Sequence, residues 1–300
     1  MAREAAEQAP EVGCVLAIVG VGQLGAALGA GLRRRGVCVL AYNAPQDAQA
    51  PARAQAAGLQ WVDHPEALAS ANVVLSTVNA QAAEAAAQAC AGHLAADALY
   101  VDLNSMGPRE KAAVAERVLG QGRRFVDGAV LGAAADGLEV PILLSGPQAA
   151  EACGLLNALG MRTRVAGPAV GQAAAIKIVR SVLAKGLETL YVEALVAARR
   201  LDVDGAVLGS FCDWLDLRSA RETAELLVSS HLRHAPRRVH EVAMSVAVLE
   251  QAGLRPMMAQ AVHERLALTA AALAEADGAQ AAATQGMDAA LAWLERHLPG

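Results

Sequence analysis

The run Val15-Leu16-Ala17-Ile18-Val19-Gly20-Val21-Gly22-Gln23-Leu24-Gly25 decides how the chain is read. Its first five residues are uninterrupted apolar, the pattern of a strand buried on both faces. A G-x-G-x-x-G follows, and then an Ala- and Leu-rich helical stretch to Arg35. The glycines serve different ends. Gly20 permits the tight turn, Gly22 lets the backbone approach a pyrophosphate, and Gly25 lets the helix pack close to the strand. The helix start then offers free N–H groups and the positive end of its dipole to an anion. Strand, glycine turn and helix together open a βαβ unit that binds a dinucleotide. Gly20, Gly22, Gln23, Leu24 and Gly25 form its phosphate loop.

The rest of the first half repeats the theme. Apolar, β-branched runs at Cys14–Val19, Val37–Tyr42, Gln60–Val62, Val73–Thr77, Leu99–Leu103, Arg124–Val130, Val140–Leu144 and Arg162–Val165 alternate with Ala-rich helical stretches. That alternation predicts a mostly parallel sheet with helices on both faces. Strand signals stop after Gly167-Pro168. From Val170 onward the pattern is helical, with breaks expected near Asp202–Asp204, His234–Pro236, Gly253–Pro256 and Asp277-Gly278. The expected fold class is α/β: a Rossmann dinucleotide-binding domain over residues 1–167, then an all-helical domain over 168–300. The longest helix is expected over about Val170 to Arg200, and residues 1–10 read as a loose polar terminus.

The end of the second run bears on which dinucleotide binds. An NAD site usually places Asp or Glu there to hold the ribose 2′-OH. This chain has Asn43, which does not repel a 2′-phosphate, and the nearest downstream arginine is Arg53. NADP(H) is therefore favoured over NAD(H). Thr77, Val78 and Asn79, at the end of the fourth run, are expected beside the cofactor.

Composition narrows the remaining options. The chain has 300 residues, 55% of them apolar but only 3% aromatic, and a net charge of −5. Low charge and high apolarity exclude a disordered chain. The acidic balance argues against nucleic acid or an anionic membrane as partner. The uncharged stretch Val12–Leu32 is long enough to span a bilayer, but its glycines and the lack of a basic leader argue against a membrane segment. Cysteines at 14, 38, 90, 153 and 212 make no C-x-x-C, so neither a disulfide framework nor a metal site is expected, and the cytoplasm is the default location. Only Lys111, Lys177 and Lys185 are lysines among 25 basic residues. Where arginine serves as the general cation, a lysine among apolar neighbours stands out, because only lysine gives up its proton near neutrality.

Three segments carry polar groups where chemistry is expected. Val101-Asp102-Leu103-Asn104-Ser105-Met106-Gly107-Pro108 ends a strand and opens a helix, where ligands bind in open α/β sheets. Asn104 and Ser105 are candidates to hold a substrate carboxylate. Phe125–Ala133 leaves a strand through small residues, which brings Gly132 main chain to the substrate. In Gly171–Ser181, Lys177 lies among Ile176, Ile178 and Val179, and Ser181 follows one turn later. Desolvation lowers a lysine pKa and suits it to general acid or base work.

Together these segments resemble the β-hydroxyacid dehydrogenase family, relatives of 3-hydroxyisobutyrate dehydrogenase and 6-phosphogluconate dehydrogenase. The family's D-x-S-T-x-x-P appears as Asp102–Pro108, with Asn104 and Ser105 at the Ser-Thr positions. Its D-A-P-V-S-G-G appears as Asp127–Ala133. Its G-x-x-x-K-x-x-N-N appears around Lys177, with Ser181 where an Asn is usual. A later K-D-L stretch appears as His240-Glu241-Val242, which makes His240 a site candidate by resemblance only. The departures resemble a subgroup whose helical C-terminal domain has no assigned function, with Ser229–Arg238 its most distinctive run.

The resemblance implies an NAD(P)-dependent oxidoreductase that moves hydride between the cofactor and a carbinol or carbonyl carbon of a small hydroxy acid or related alcohol. Lys177 is its expected general acid and base. Imine reductase chemistry and a non-catalytic nucleotide-binding module are the alternatives. The Ala- and Leu-rich helical half has more apolar helix face than a small bundle covers, so a homodimer through residues 170–300 is expected. His231 and His234 lack partner ligands at metal-site spacing, and Trp214 reads as core.

Overall fold

The computed structural model describes residues 15–43, 47–276 and 286–297. The polar start of the chain, Cys14 and the Asp277-Gly278 break lie outside them. The chain divides into two compact units, Met1–Val182 and Leu183–Gly300.

In the first unit every apolar run becomes a strand: β1 (Val15–Val19), β2 (Cys38–Tyr42), β3 (Gln60–Trp61), β4 (Val73–Ser76), β5 (Leu99–Asp102), β6 (Arg124–Val130), β7 (Pro141–Ser145) and β8 (Arg162–Gly167). Between them lie α1 (Gln23–Arg34), α2 (Ala50–Ala56), α3 (Ala83–Ala91), α4 (Pro108–Leu119) and α5 (Ala149–Ala158). The strands form one sheet in the order β3-β2-β1-β4-β5-β6-β7-β8. Neighbours are parallel except β6 and β7, which are antiparallel. The order reverses between β1 and β4, the crevice where such sheets bind ligands.

Both faces are covered because side chains alternate along each strand. Leu16 and Ile18 of β1 join Leu28, Leu32, Leu75 and Val101 on one face. Ala17 and Val19 join Ala87, Tyr100 and Phe125 on the other. This is why β1 reads as an unbroken apolar run rather than an alternating one.

The register then makes a row of polar residues across four strands. Ser76 of β4 pairs with Asp102 of β5, Asp102 with Asp127 of β6, and Asp127 with Ser145 of β7. All four are fully buried. A buried row of this kind must satisfy its own hydrogen bonds, and the way it does so builds the site.

The long helix α6 runs from Gln172 to Arg200. Its first turns group with the sheet unit. The row supplies the reason: Asp127 and Ser145 hold the backbone at the start of α6.

The second unit continues α6 with α7 (Asp204–Asp216), α8 (Ala220–Ser229), α9 (His231–Gln251), α10 (Met257–Glu275) and α11 (Met287–His297). Residues of α6 close two helix ends there. Glu193 accepts the N–H groups of Met258 and Ala259 at 2.9 and 2.8 Å, at the positive start of α10. Arg200 donates to the Ala252 carbonyl at 2.9 Å, at the negative end of α9. Trp293 is buried with Ala290 and Leu232.

One expected break is absent, and two that were not expected are present. His234–Pro236 lies inside α9. Pro236 forgoes one helical hydrogen bond, but Leu232 and Ala235 stay buried in the same turn and the helix continues. One falls before Ser219, whose side chain and that of Glu222 form a reciprocal cap on α8, and the other at Ser230, between α8 and α9. Among the described residues no helix is long and apolar enough to cross a membrane.

Candidate functional site

The phosphate loop turns as the sequence requires. Gly20 has φ +102°, and a Cβ there would lie 2.7 Å from the Thr77 and Val78 backbone. A Cβ on Gly25 would lie 2.2 Å from the Gly20 carbonyl oxygen and 2.6 Å from Thr77 Oγ1. Beside Gly22 the space is open. No side chain caps the first turn of α1, and no acid lies in it. An open cradle of uncapped N–H groups at a helix start fits a dinucleotide pyrophosphate. Thr77 Oγ1 donates to the Gly20 carbonyl at 2.7 Å and ties β4 to the loop. Asn79 accepts the Ala82 N–H at 2.8 Å and shapes the turn beyond it.

Beyond β2, Asn43 Oδ1 accepts the Val21 N–H at 3.3 Å, so this side chain borders the loop. Its Nδ2 donates to Asp47 at 3.2 Å. Arg53 pairs with Asp47 and donates to the Val21 carbonyl at 2.5 Å. The pairing, chiefly its hydrogen bond, holds the Asp47 carboxyl below its usual pKa. Sequence distance alone left Arg53 remote from the loop, and Asp47 went unnoticed. Both border the phosphate loop, Arg53 through the Val21 carbonyl and Asp47 through Asn43 and Arg53.

Against the middle of the polar row sits Lys111 of α4, which is fully buried. Its Nζ donates to Asp102 Oδ1 at 2.5 Å, to the Asp102 carbonyl at 2.7 Å and to the Gly128 carbonyl at 3.0 Å, with Asp127 Oδ1 at 3.2 Å. Asp102 in turn accepts the Asn104 backbone N–H at 3.0 Å and Asn104 Nδ2 at 2.9 Å. Asn104 Nδ2 also donates to Ser76 Oγ at 3.0 Å. A carboxylate only accepts, so Asp102 fixes which way the Asn104 amide points. Both amide protons are thereby committed. Asp127 Oδ2 accepts Ser145 Oγ at 2.9 Å and the N–H groups of Gly171 and Ala174, each at 3.1 Å. Ser145 Oγ accepts the Ala173 N–H at 2.9 Å.

Ser105 stands exposed beside this cluster, and Lys177 Nζ donates to Ser105 Oγ at 2.5 Å. Among the described residues no carboxylate lies within ion-pairing distance of Lys177. Burial first, and then the positive charge of Lys111, bring its pKa below the ordinary lysine value. Here is an amine that is partly desolvated, unpaired with acid and hydrogen-bonded to a hydroxyl, at the C-terminal edge of the sheet. It is equipped to take or give a proton.

Of the other candidates, Gly132 follows β6 in an exposed loop, where a Cβ would lie 2.9 Å from Asp136 Oδ2. Ser181 is half-buried one turn after Lys177. His240 is exposed on α9 in the second unit. His231 Nε2 lies 3.0 Å from Thr269 Oγ1, which itself donates to the Arg265 carbonyl, so His231 is the donor there. Lys111 was missed, although its signal was legible. It is one of three lysines, and at helical spacing it continues the apolar face of Val114 and Val118.

The fold and loop now have a counterpart among known proteins. Residues 15–167 match the NAD binding domain of 6-phosphogluconate dehydrogenase. The chain belongs to that family. Residues 198–269, from the end of α6 through most of α10, match a domain of unknown function, DUF1932. A conserved hypothetical protein from Sinorhizobium meliloti is 32% identical, with a TM-score of 0.62 over 96% of this chain and 98% of its own. A second conserved protein of unknown function, described as structurally similar to 3-hydroxyacid dehydrogenases, is 28% identical over 84% of this chain and 96% of its own, with a TM-score of 0.60. An imine reductase from Myxococcus stipitatus in complex with NAD+ shares the fold, with a TM-score of 0.74 over 94% of this chain and 100% of its own at 17% identity. No functionally curated protein matches the sequence. The chain is thus a member of an NAD(P)-binding dehydrogenase family, with a C-terminal domain of unassigned role.

Proposed function

We propose that the protein is an NADP(H)-dependent oxidoreductase acting on the carbinol or carbonyl carbon of a small hydroxy acid or related alcohol. The observation that carries this reading is the contact between Lys177 Nζ and Ser105 Oγ at 2.5 Å, made by a lysine with no acid partner among the described residues. A nicotinamide dinucleotide, when bound, supplies hydride chemistry. The residues of this chain then bind, orient and move a proton. Gly20, Gly22, Gln23, Leu24 and Gly25 hold the pyrophosphate, with Thr77, Val78 and Asn79 beside them, and Asn43 and Arg53 receive the 2′-phosphate. Ser105 and the Gly132 main chain hold the substrate's polar group, and Asn104 keeps the Ser105 loop in place. Lys177 takes the hydroxyl proton in oxidation and returns it in reduction, and Ser181 orients it. His240 is proposed to line the substrate site by resemblance alone.

The shared fold with imine reductases supports a second reading, reduction of a C=N bond. The presence of Lys177, at the lysine position of the hydroxyacid dehydrogenase pattern, favours the alcohol reading. A panel of hydroxy acids, alcohols and cyclic imines, followed through NADPH absorbance, separates the two. Turnover of hydroxy acids or alcohols supports the first reading; turnover of cyclic imines alone replaces it with the second. Saturable NADPH binding with no turnover on any of them supports a nucleotide-binding module instead.

We also propose a homodimer formed through residues 170–300. Along α6, Val179, Val182, Leu183 and Val192 are each 60% exposed or more. In the second unit Leu187, Leu190, Tyr191, Val207, Leu208 and Phe211 line an apolar groove of about 340 Å³. A helix apolar around its circumference is normally covered on several sides, and a second copy of the same chain is the covering this composition supports.

A further inference from the structure

Lys111 takes no part in the proton transfer above, yet its side chain joins the two halves of the Lys177–Ser105 pair. Through Asp102 it reaches both the backbone and the side chain of Asn104, the residue before Ser105. Through Asp127 it reaches the N–H groups of Gly171, just before the helix that carries Lys177, and of Ala174 in its first turn. Its three protons meet three acceptors at 2.5, 2.7 and 3.0 Å. A flexible lysine stem has become a fixed strut among groups that are themselves fully buried.

The cluster also decides which charges Lys177 meets. Two buried carboxylates, Asp102 on β5 and Asp127 on β6, belong to the network that holds Ser105 and the start of α6. Asp102 is engaged by Lys111 and Asn104, and Asp127 by Lys111, Ser145 and the start of α6. On α4, Arg109 and Glu110 are exposed, as are Arg180 and Lys185 on α6 itself. The remaining charge is the Lys111 ammonium.

We propose that Lys111 is a positioning residue for Lys177: it sets the Ser105 loop against the start of α6 and keeps both buried carboxylates from pairing with the Lys177 amine. This rests on the proposed role of Lys177. Repulsion by Lys111, second to desolvation, acts in the same direction by lowering the Lys177 pKa.

The chain has only three lysines, so each can be followed separately. Brief acetylation with acetic anhydride across a range of pH, read by peptide mass spectrometry, gives the titration midpoint of each amine without a substrate. In the wild-type protein Lys177 is expected to titrate below the ordinary lysine value, and Lys111 to stay unmodified while the fold is intact. Lys111→Met frees both carboxylates and should raise the Lys177 midpoint by about one unit, a tenfold fall in its labelling at a fixed pH below that midpoint. Asp102→Asn removes an acid and keeps Lys111, so it should leave the midpoint at the wild-type value or lower it. Circular dichroism and NADPH binding report whether each variant is folded.

An unchanged Lys177 midpoint in folded Lys111→Met overturns the proposal. If that variant does not fold, a raised midpoint in Asp102→Asn overturns it. If neither folds, the wild type decides: Lys177 titrating at the ordinary lysine value, or Lys111 acetylated as readily as the exposed Lys185, overturns it. Because the labelling needs no substrate, its failure is distinct from a finding that Lys177 is dispensable for turnover.

Discussion

Asp127 accepts the backbone N–H of Ala174 at 3.1 Å, three residues before Lys177. A carboxylate on the sheet thus serves as a cap for the helix that bears the proposed proton carrier, and the same carboxylate lies 3.2 Å from the Lys111 ammonium. Asp127→Ala should remove the cap and leave a buried cation short of an acid. Breaking one partner of a buried pair costs about 3–5 kcal/mol, and a lost cap about 1. Urea denaturation should show a loss of about that first size. A loss below about 1 kcal/mol would mean that the network carries little of the fold's stability.

The cofactor should be NADP(H) rather than NAD(H). Arg53 is brought to the loop by its bond to the Val21 carbonyl, and Asn43 adds no negative charge of its own. Asn43→Asp should shift preference toward NADH by repelling a 2′-phosphate. Arg53→Ala should weaken NADPH about tenfold more than NADH, the size of one charge-assisted hydrogen bond. Titration by nicotinamide fluorescence measures both. A wild-type preference for NADH, or equal losses for the two cofactors in Arg53→Ala, would contradict this assignment.

Light scattering at micromolar concentration should give the mass of two chains. Leu183→Glu, at a position 73% exposed in the single chain, should weaken that assembly while leaving the sheet unit's NADPH binding intact. A monomer in the wild type would remove the proposed interface.

The pH dependence follows from the lowered Lys177 pKa. Oxidation needs the free amine, so its rate should rise with pH through a midpoint below that of an ordinary lysine. Reduction needs the ammonium, so its rate should fall across the same range. Profiles that are flat from about pH 7 to about pH 10 would show that this amine does not control the chemistry.

The sheet was legible from the sequence because strands buried on both faces leave unbroken apolar runs, and Leu16–Val19 or Val73–Leu75 admit few other readings. The phosphate loop was legible because Gly20 and Gly25 answer local demands of backbone angle and close approach. Lys177 stood out by the scarcity of lysine. What sequence spacing did not reveal was tertiary. The row Ser76, Asp102, Asp127 and Ser145 exists only through strand register, across residues up to 69 positions apart. Arg53 meets Val21 only once α2 folds back toward the loop. In sequence Pro236 reads as a break because its local cost is visible there, whereas the packing of Leu232 and Ala235 that offsets it is not.

The most direct measurement is turnover of Lys177→Met and Lys177→Arg on a substrate that the wild type turns over, beside their NADPH affinity. Arginine keeps the charge but not the removable proton. Both variants should lose turnover by roughly 10²–10⁴-fold, the usual contribution of a positioned acid or base, while binding NADPH nearly normally. Near wild-type turnover in Lys177→Met would show that Lys177 is a structural lysine and that the proton moves by another route.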